Sequence, residues 1–135
     1  MDKFISNSEK ETMSFAEKFS KSLTGGDVIL LSGDLGAGKT TFVKGLAKGL
    51  GISDEVTSPT YAYLNVYGDK LYHYDCYRLS CGEDAEALGL VDYFYGDNIC
   101  VIEWSENIAD VLPDKVIKIN IEKTSVSSRS ISIIR

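Results

Sequence analysis

A short glycine-rich stretch of the sequence combines the residue types that bind phosphate groups. Residues 33–40 read Gly-Asp-Leu-Gly-Ala-Gly-Lys-Thr and match the pattern G-x-x-x-x-G-K-[ST] at every fixed position. Glycines let the backbone curl until successive N–H groups converge on phosphate oxygens, and a helix that starts there adds a partial positive charge. In this pattern Lys39 reaches the terminal phosphates and the Thr40 hydroxyl is placed to bind Mg²⁺. The pattern predicts a site for a magnesium-bound nucleoside triphosphate, formed by Asp34, Leu35, Gly36, Ala37, Gly38, Lys39, Thr40 and Thr41.

Such a site also needs a carboxylate that holds the metal and helps to orient the attacking water. Glu103 is the first candidate, because it directly follows the apolar run Ile99–Ile102, which is typical of a buried strand. Asp75 is the second candidate. On an extended strand it shares a face with His73, so it either accepts an N–H from that histidine or reaches the magnesium ion. For His73 itself, a structural role in the fold is the first interpretation.

Two further features each leave two interpretations open. Trp104, the only tryptophan, is either an anchor in the core or a residue that moves with the metal site. The segment Thr57-Ser58-Pro59-Thr60 either senses the terminal phosphate through its hydroxyl groups, as switch loops do, or forms a proline-stiffened turn before a strand.

The glycine-rich stretch lies in the order of elements that a phosphate-binding loop requires. Residues 28–31 form a short apolar run that predicts a strand covered on both faces, and residues 42–50 carry apolar positions at helical spacing. Elsewhere the patterns predict a helix over 9–23, a hairpin with strands 61–67 and 71–78, short helices over 83–88 and 105–112, and strands over 99–102, 116–121 and 130–134. We therefore expect a single domain spanning residues 1–135, with an α/β sandwich of the P-loop NTPase type. Its central sheet is mostly parallel and flanked by helices, and antiparallel hairpin strands are added to it.

Composition excludes several classes of protein. The chain of 135 residues has 14 Lys plus Arg against 20 Asp plus Glu, a net charge of −6, and no basic stripe. This argues against direct binding of DNA or RNA, because nucleic-acid binders neutralise phosphates with clustered cations.

Three cysteines without a C-x-x-C pair fit a reducing cytosol, and we expect the thiols in the core. No stretch is long and apolar enough to predict a membrane span, and no N-K-x-D sequence indicates guanine recognition, so ATP is the expected nucleotide.

Four motifs in order resemble the TsaE family, the small ATPases of bacterial tRNA threonylcarbamoyladenosine biosynthesis. They are GDLGAGKTT at 33–41, SPTY at 58–61, HYDCYRL at 73–79 and IEWSE at 102–106, and the resemblance runs from about Gly26 to Pro113. One departure is visible: many relatives have proline after the tryptophan, where this chain has Ser105. That puts in doubt only the stiffness of this loop.

The resemblance implies roles that spacing alone leaves open. It implies that Thr40 and Glu103 bind Mg²⁺, that Lys39 holds the phosphates of ATP, and that Asp75 is needed for hydrolysis. Thr60 and Trp104 would belong to two nucleotide-sensing loops. The family acts with TsaD and TsaB, so the chain is expected to serve tRNA indirectly, with slow hydrolysis on its own. The N-terminal helix and the tail would flank the base, which makes Glu9 and the segment Ser125–Arg129 candidates for adenine contacts.

Two other functions remain open from the residues alone. A small-molecule kinase also uses this loop with magnesium, although three scattered arginines offer little for a lid over an acceptor. A nucleotide-dependent binding module would use the same groups without relevant hydrolysis.

Overall fold

The computed structural model describes residues 2–34, 36–56 and 63–135, and one mixed β-sheet forms its centre. The strands of these residues are β1 (Asp2–Ser6), β2 (Val28–Ser32), β3 (Leu64–Tyr67), β4 (Leu71–Asp75), β5 (Ile99–Glu103), β6 (Ile117–Lys123) and β7 (Arg129–Ile134). The α-helices are α1 (Glu9–Ser20), α2 (Lys39–Gly49) and α3 (Gly82–Ala87), and two 3-10 helices cover Val91–Tyr95 and Ser105–Val111.

The sheet has the order β1-β7-β6-β2-β5-β4-β3. Its four central strands β6, β2, β5 and β4 run parallel. At one side β3 pairs antiparallel with β4; at the other β7 pairs antiparallel with β6, and β1 pairs antiparallel with β7. Parallel strands need covering on both faces, and the continuous apolar runs of β2 and β5 are what such burial requires. The predicted fold class, a mostly parallel sheet flanked by helices with antiparallel strands added, is confirmed.

Two apolar clusters, one on each face of the sheet, make up the core. On the first face α1 and α2 cover side chains such as Leu31, Leu71 and Val101. On the second face α3 and the 3-10 helices cover side chains such as Tyr74 and Ile102. Alternation along β4 and β5 therefore decides which side chains face α2, and this is the helix that begins at the glycine-rich loop.

Helices α1 and α2 approach each other closely because glycine replaces a side chain at their contact. A Cβ atom at Gly45 would lie 2.4 Å from the carbonyl oxygen of Met13 and 2.6 Å from the Cβ of Ala16. Moving backbone atoms costs more free energy than moving the end of a flexible side chain, so this contact fixes the distance between the two helices.

Replacing Gly45 by alanine is therefore expected to destabilise the fold. Within a helix this change normally stabilises by about 1 kcal/mol, but the steric conflict with α1 costs about 1–3 kcal/mol. We expect a net loss, measured as a lower midpoint in urea unfolding. Lys44→Ala, on the exposed side of the same helix, is the matched control and should change stability by less than about 0.5 kcal/mol. A Gly45 variant more stable than the wild type would contradict the packing described here.

Several boundaries differ from the predictions. Helix α1 ends at Ser20 rather than at residue 23, because its last turn tightens into i to i−3 hydrogen bonds, among them the bond from Leu23 N to Ser20 O. The hairpin turns at Gly68 and Asp69, between the two predicted strands, with positive φ at both residues. Its strands are shorter than predicted, however, and part of the first lies outside the described residues. Strand β1 and the 3-10 helix Val91–Tyr95 were not predicted.

Two of the three thiols lie where the sequence placed them. Cys76 and Cys100 are buried, and burial raises the pKa of Cys76 to about 12 and that of Cys100 to about 11. The prediction is wrong for Cys81, which is exposed as the N-cap residue of α3. Helix caps lie at the surface, and no local pattern marked this cap.

Within the described parts of the chain, no helix is long and apolar enough to cross a membrane.

Candidate functional site

The carboxyl ends of three neighbouring parallel strands meet at one edge of the sheet. The glycine-rich loop follows β2, and the last residue of β5, Glu103, pairs in register with Leu31 of β2 on one side and with Asp75 of β4 on the other. In open parallel sheets this edge is where ligands bind, because loops of adjacent strands open a crevice there. The fold thus brings both predicted carboxylates beside the loop.

The loop between β2 and α2 has a backbone that only glycine adopts readily. Gly36 has φ +81° and Gly38, the N-cap residue of α2, has φ +102°. A Cβ atom at Gly36 would meet nothing within 4 Å, so the loop leaves open space beside it. The amides of the first turn of α2 have no acceptor within their own helix. Together these features provide backbone donors that an anion can approach closely.

Glu103 lies at the centre of a small cluster of charged and polar side chains. Its Oε1 is 3.3 Å from the Nζ of Lys39, the first residue of α2, and its Oε2 is 2.6 Å from the Nε2 of His73 on β4. Glu103 is 8% exposed and His73 is fully buried. The two carboxylate oxygens therefore have different partners. The cluster joins the loop helix to two strands of the sheet.

The surroundings of Glu103 favour its ionised form. Burial by itself raises the pKa of this carboxyl, but the hydrogen bond with His73 and the attraction of His73 and Lys39 together hold the pKa below its ordinary value. An ionised carboxylate has no proton to give, so it accepts both bonds. With Glu103 in this form, the donor of the 2.6 Å contact would be Nε2 of His73.

Asp75 does not partner the histidine. His73 contacts Glu103 instead, while Asp75 Oδ1 accepts the backbone N–H of Tyr77 at 3.0 Å. The first of the two interpretations of Asp75 is therefore wrong, because the ring of His73 reaches the neighbouring strand rather than along its own. Asp75 is half-buried at the end of β4, and its position beside Glu103 is compatible with the second interpretation.

Trp104 is not a core anchor. It is 44% exposed, and its ring meets the ring of Tyr77 edge-on with the centroids 4.9 Å apart. Its backbone has φ +59°, an uncommon conformation for a bulky residue. The residue directly after Glu103 thus has an uncommon backbone conformation and an exposed aromatic ring. The other interpretation, that Trp104 moves with the metal site, stays a prediction.

Arg129, at the start of β7, connects the glycine-rich loop to the turn between β6 and β7 through hydrogen bonds. Its Nε donates to the carbonyl of Ala37 at 2.9 Å and its Nη2 to the carbonyl of Gly36 at 3.1 Å. Its Nη1 donates to Ser125 and Ser128 in the turn between β6 and β7. The sequence suggested an adenine contact for the segment Ser125–Arg129. That contact stays a prediction. The guanidinium itself is engaged by backbone carbonyls, a role that no local pattern indicated.

We expect Arg129→Lys to weaken binding of ADP about 10-fold, since hydrogen bonds that involve a charged group are worth roughly 1.5 kcal/mol or more. Lysine keeps the charge but cannot hold two adjacent carbonyls at once, so the loop amides lose their fixed direction. Calorimetric titration with ADP measures the effect. Arg135→Lys is the matched control, because Arg135 bonds Ser22 and stacks on Phe19, away from the loop. Equal affinity in the two variants would contradict this role of Arg129.

A cavity of about 710 Å³ opens beside the loop. This is a size that holds small ligands. The loop, the first turn of α1 and the turn between β6 and β7 form its walls, through Ser8, Glu9, Lys10, Thr12, Gly36, Gly38, Thr40, Thr41, Val126, Ser127 and Arg129. Glu9 and part of the segment Ser125–Arg129, both named from the sequence as candidate base contacts, thus line one cavity.

The predicted site residues do not all lie in one place. Lys39, Glu103 and Asp75 come together at the strand ends. Gly36, Gly38, Thr40 and Thr41 line the cavity, whereas Asp34 is exposed and Ala37 is buried under the loop. Leu35 and Thr60 lie outside the described residues. The hydroxyl of Thr40 and the carboxylate of Glu103 are hard oxygen ligands, and such ligands suit Mg²⁺.

Comparison with known proteins gives consistent results. The family model described as "Threonylcarbamoyl adenosine biosynthesis protein TsaE" matches residues 6–131. The tRNA threonylcarbamoyladenosine biosynthesis protein TsaE of Treponema pallidum (strain Nichols) is 42% identical over 131 residues, which cover 96% of this chain and 97% of the relative. The protein of the same name from Bacillus subtilis (strain 168) is 42% identical over 126 residues, or 91% of this chain and 78% of the relative. The crystal structure of Bacillus subtilis YdiB has a TM-score of 0.83 and 37% identity, covering 98% of this chain and 83% of that one.

Proposed function

The chain belongs to the TsaE family of tRNA threonylcarbamoyladenosine biosynthesis proteins, and from this premise we propose that it binds ATP with Mg²⁺ and hydrolyses it in the service of that modification. The observation that carries the proposal is the contact between Lys39 and Glu103, 3.3 Å long, at the start of the helix that follows the glycine-rich loop. It supports the proposal because a cation that suits phosphate and a carboxylate that suits a metal ion lie beside the first-turn amides of α2, which have no acceptor within their own helix.

Each side chain has a distinct part in this proposal. The loop amides and the Lys39 ammonium bind the phosphate oxygens, and Lys39 shifts from the carboxylate toward the phosphates as it does so. Thr40 and Glu103 hold Mg²⁺, which is usually bound by one or two protein oxygens together with substrate phosphates. The ion supplies neutralisation of charge on the phosphoryl group. Asp75, beside Glu103, helps to orient water for hydrolysis.

The cavity beside the loop is proposed to receive the adenosine part of the nucleotide. It lies next to Gly36 and Thr41, on the side of the first turn of α1. Val126 at its margin is 90% exposed, so this apolar side chain is available to cover the face of a base. The carboxylate of Glu9 is available to accept a hydrogen bond from an exocyclic amino group, which adenine has.

The protein partners are part of the same proposal. We propose that the chain acts with homologues of TsaD and TsaB and that tRNA reaches it only through that complex. The net charge of −6 supports indirect contact, because free tRNA would be repelled. A site that partners complete has little activity alone, so hydrolysis by the isolated chain should be slow.

The exposed thiol of Cys81 fits a reducing compartment such as the cytoplasm.

Phosphate release from ATP tests the proposal, measured for the chain alone and with its own TsaD and TsaB, each with and without Mg²⁺. We expect slow magnesium-dependent release that the partners increase. The Lys39→Ala variant sets the background. If no condition exceeds that background while ADP still binds, the chain is a nucleotide-dependent binding module rather than an ATPase. If phosphate is transferred to a metabolite instead of water, the kinase alternative replaces the proposal.

A further inference from the structure

His73 is the sole histidine of the chain and is fully buried, yet it points a ring nitrogen at the carboxylate of Glu103. The distance from Nε2 to Oε2 is 2.6 Å, which is short for a nitrogen–oxygen hydrogen bond. Such shortening is typical when one partner carries a charge. The contact is thus stronger than ordinary packing of a core histidine would give.

The register of the sheet explains how the two groups meet. His73 pairs with Val101, two residues before Glu103, on the parallel strands β4 and β5. His73, Val101 and Glu103 therefore share the face that α2 covers, and the imidazole reaches along this face to the strand end. Because both strands are buried in the sheet, neither group can move far.

The other ring nitrogen has no such partner. Nδ1 of His73 is buried and makes no hydrogen bond within the described parts of the chain. A buried polar atom without a partner costs free energy, and leucine or phenylalanine at this position would avoid that cost. The histidine is therefore explained by what its Nε2 does for Glu103, not by the stability of the core.

The two oxygens of Glu103 then have separate tasks. Oε1 faces the Lys39 ammonium, which the phosphates of a nucleotide would attract, whereas Oε2 is held by a group in the sheet. We propose that His73 is a positioning residue that fixes Oε2 of Glu103, so that Oε1 is presented to the magnesium ion of the nucleotide. This inference rests on the proposed function, since it assigns a support to the metal ligand named there.

Magnesium dependence of nucleotide binding tests this role without relying on turnover. ADP affinity is measured by calorimetry with excess Mg²⁺ and again with EDTA, and the ratio gives the gain due to the metal. In His73→Leu we expect this gain to fall about 10-fold or more, as when other groups that orient metal ligands are lost. Affinity in EDTA should stay close to that of the wild type. His73→Gln, which restores an N–H donor near the position of Nε2, should recover most of the gain.

A core variant separates positioning from stability. Leu71 lies on the same face of β4 as His73 and is also fully buried, so Leu71→Ala is the control. It should lower the melting temperature and leave the magnesium gain unchanged. If His73→Leu keeps the wild-type gain, or if His73→Gln is as impaired as His73→Leu, the positioning role is wrong. If the wild type itself shows no gain with Mg²⁺, it is the proposed function that fails.

A spectroscopic measurement on the unmodified protein covers the case in which His73→Leu does not fold. Because the chain has one histidine, two-bond ¹H–¹⁵N spectra report its ring nitrogens without overlap. The proposal requires a hydrogen on Nε2, both in the free protein and with ADP and Mg²⁺. A ring with its only hydrogen on Nδ1 in either state could not hold Glu103 and would overturn the inference.

Discussion

Lys39→Ala should lower the affinity for ADP and for ATP roughly 100-fold, measured by calorimetry with Mg²⁺. The Lys39 ammonium lies at the first residue of the loop helix, 3.3 Å from Oε1 of Glu103. A hydrogen bond from a charged donor to phosphate is worth up to about 3 kcal/mol, which corresponds to about two orders of magnitude in affinity. Alanine removes the charge and leaves the loop amides alone to hold the phosphates.

The control for this variant lies on the same helix. Lys44 is exposed, and Lys44→Ala removes an equal charge away from the strand ends. Its affinity should match that of the wild type. Melting temperatures of both variants show whether the fold is intact, since Lys39 also partners a buried carboxylate. Unchanged ADP affinity in a folded Lys39→Ala protein would refute the phosphate site.

Glu103→Gln should separate binding from hydrolysis. Glutamine has nearly the shape of glutamate and can still accept the hydrogen bond from His73, so the local packing stays intact. The negative charge that would face the metal is lost. We expect ADP affinity in EDTA to be unchanged or slightly higher, because no carboxylate competes for Lys39, while turnover of ATP falls about 100-fold or more.

A nearby carboxylate serves as the comparison. Glu106 is exposed in the 3-10 helix that follows Trp104, and Glu106→Gln changes the net charge of the same region by the same amount. Its turnover with TsaD and TsaB should equal that of the wild type. If Glu103→Gln also keeps full turnover, the carboxylate has no part in the chemistry.

The sequence was sufficient where local pattern decides the structure. The strand, the glycine-rich loop and the helix α2 follow one another without a gap, so residue types and spacing predict all three. Glu103 could be placed because an acidic residue after four apolar ones marks the end of a buried strand. The hairpin turn at Gly68 and Asp69 was equally local, since both residues favour positive φ.

It was insufficient where distant residues meet. The bond between His73 and Glu103 depends on the register of two parallel strands, and a shift by two residues would have given His73 another partner. The contacts of Arg129 with Gly36 and Ala37 join segments more than half the chain apart. Strand β1 has only five residues, with charged and polar ones at its start and end. Its extended form depends on pairing with β7, and no pattern in residues 2–6 predicts that pairing.

The position of β1 has a consequence for how the protein is made. In the described part of the chain β1 pairs with β7 alone, from Asp2 opposite Ile133 to Ser6 opposite Arg129. During synthesis residues 2–6 leave the ribosome before residues 129–134, so β1 must wait for β7 before it can pair. The ring of Phe4 on β1 stacks on Phe15 of α1, with the ring centroids 4.4 Å apart. Helix α1, whose first turn lines the cavity, therefore also gains this contact only after β7 has been made. We expect nascent chains that lack residues 129–134 to be held in a partly open state that proteases and chaperones recognise.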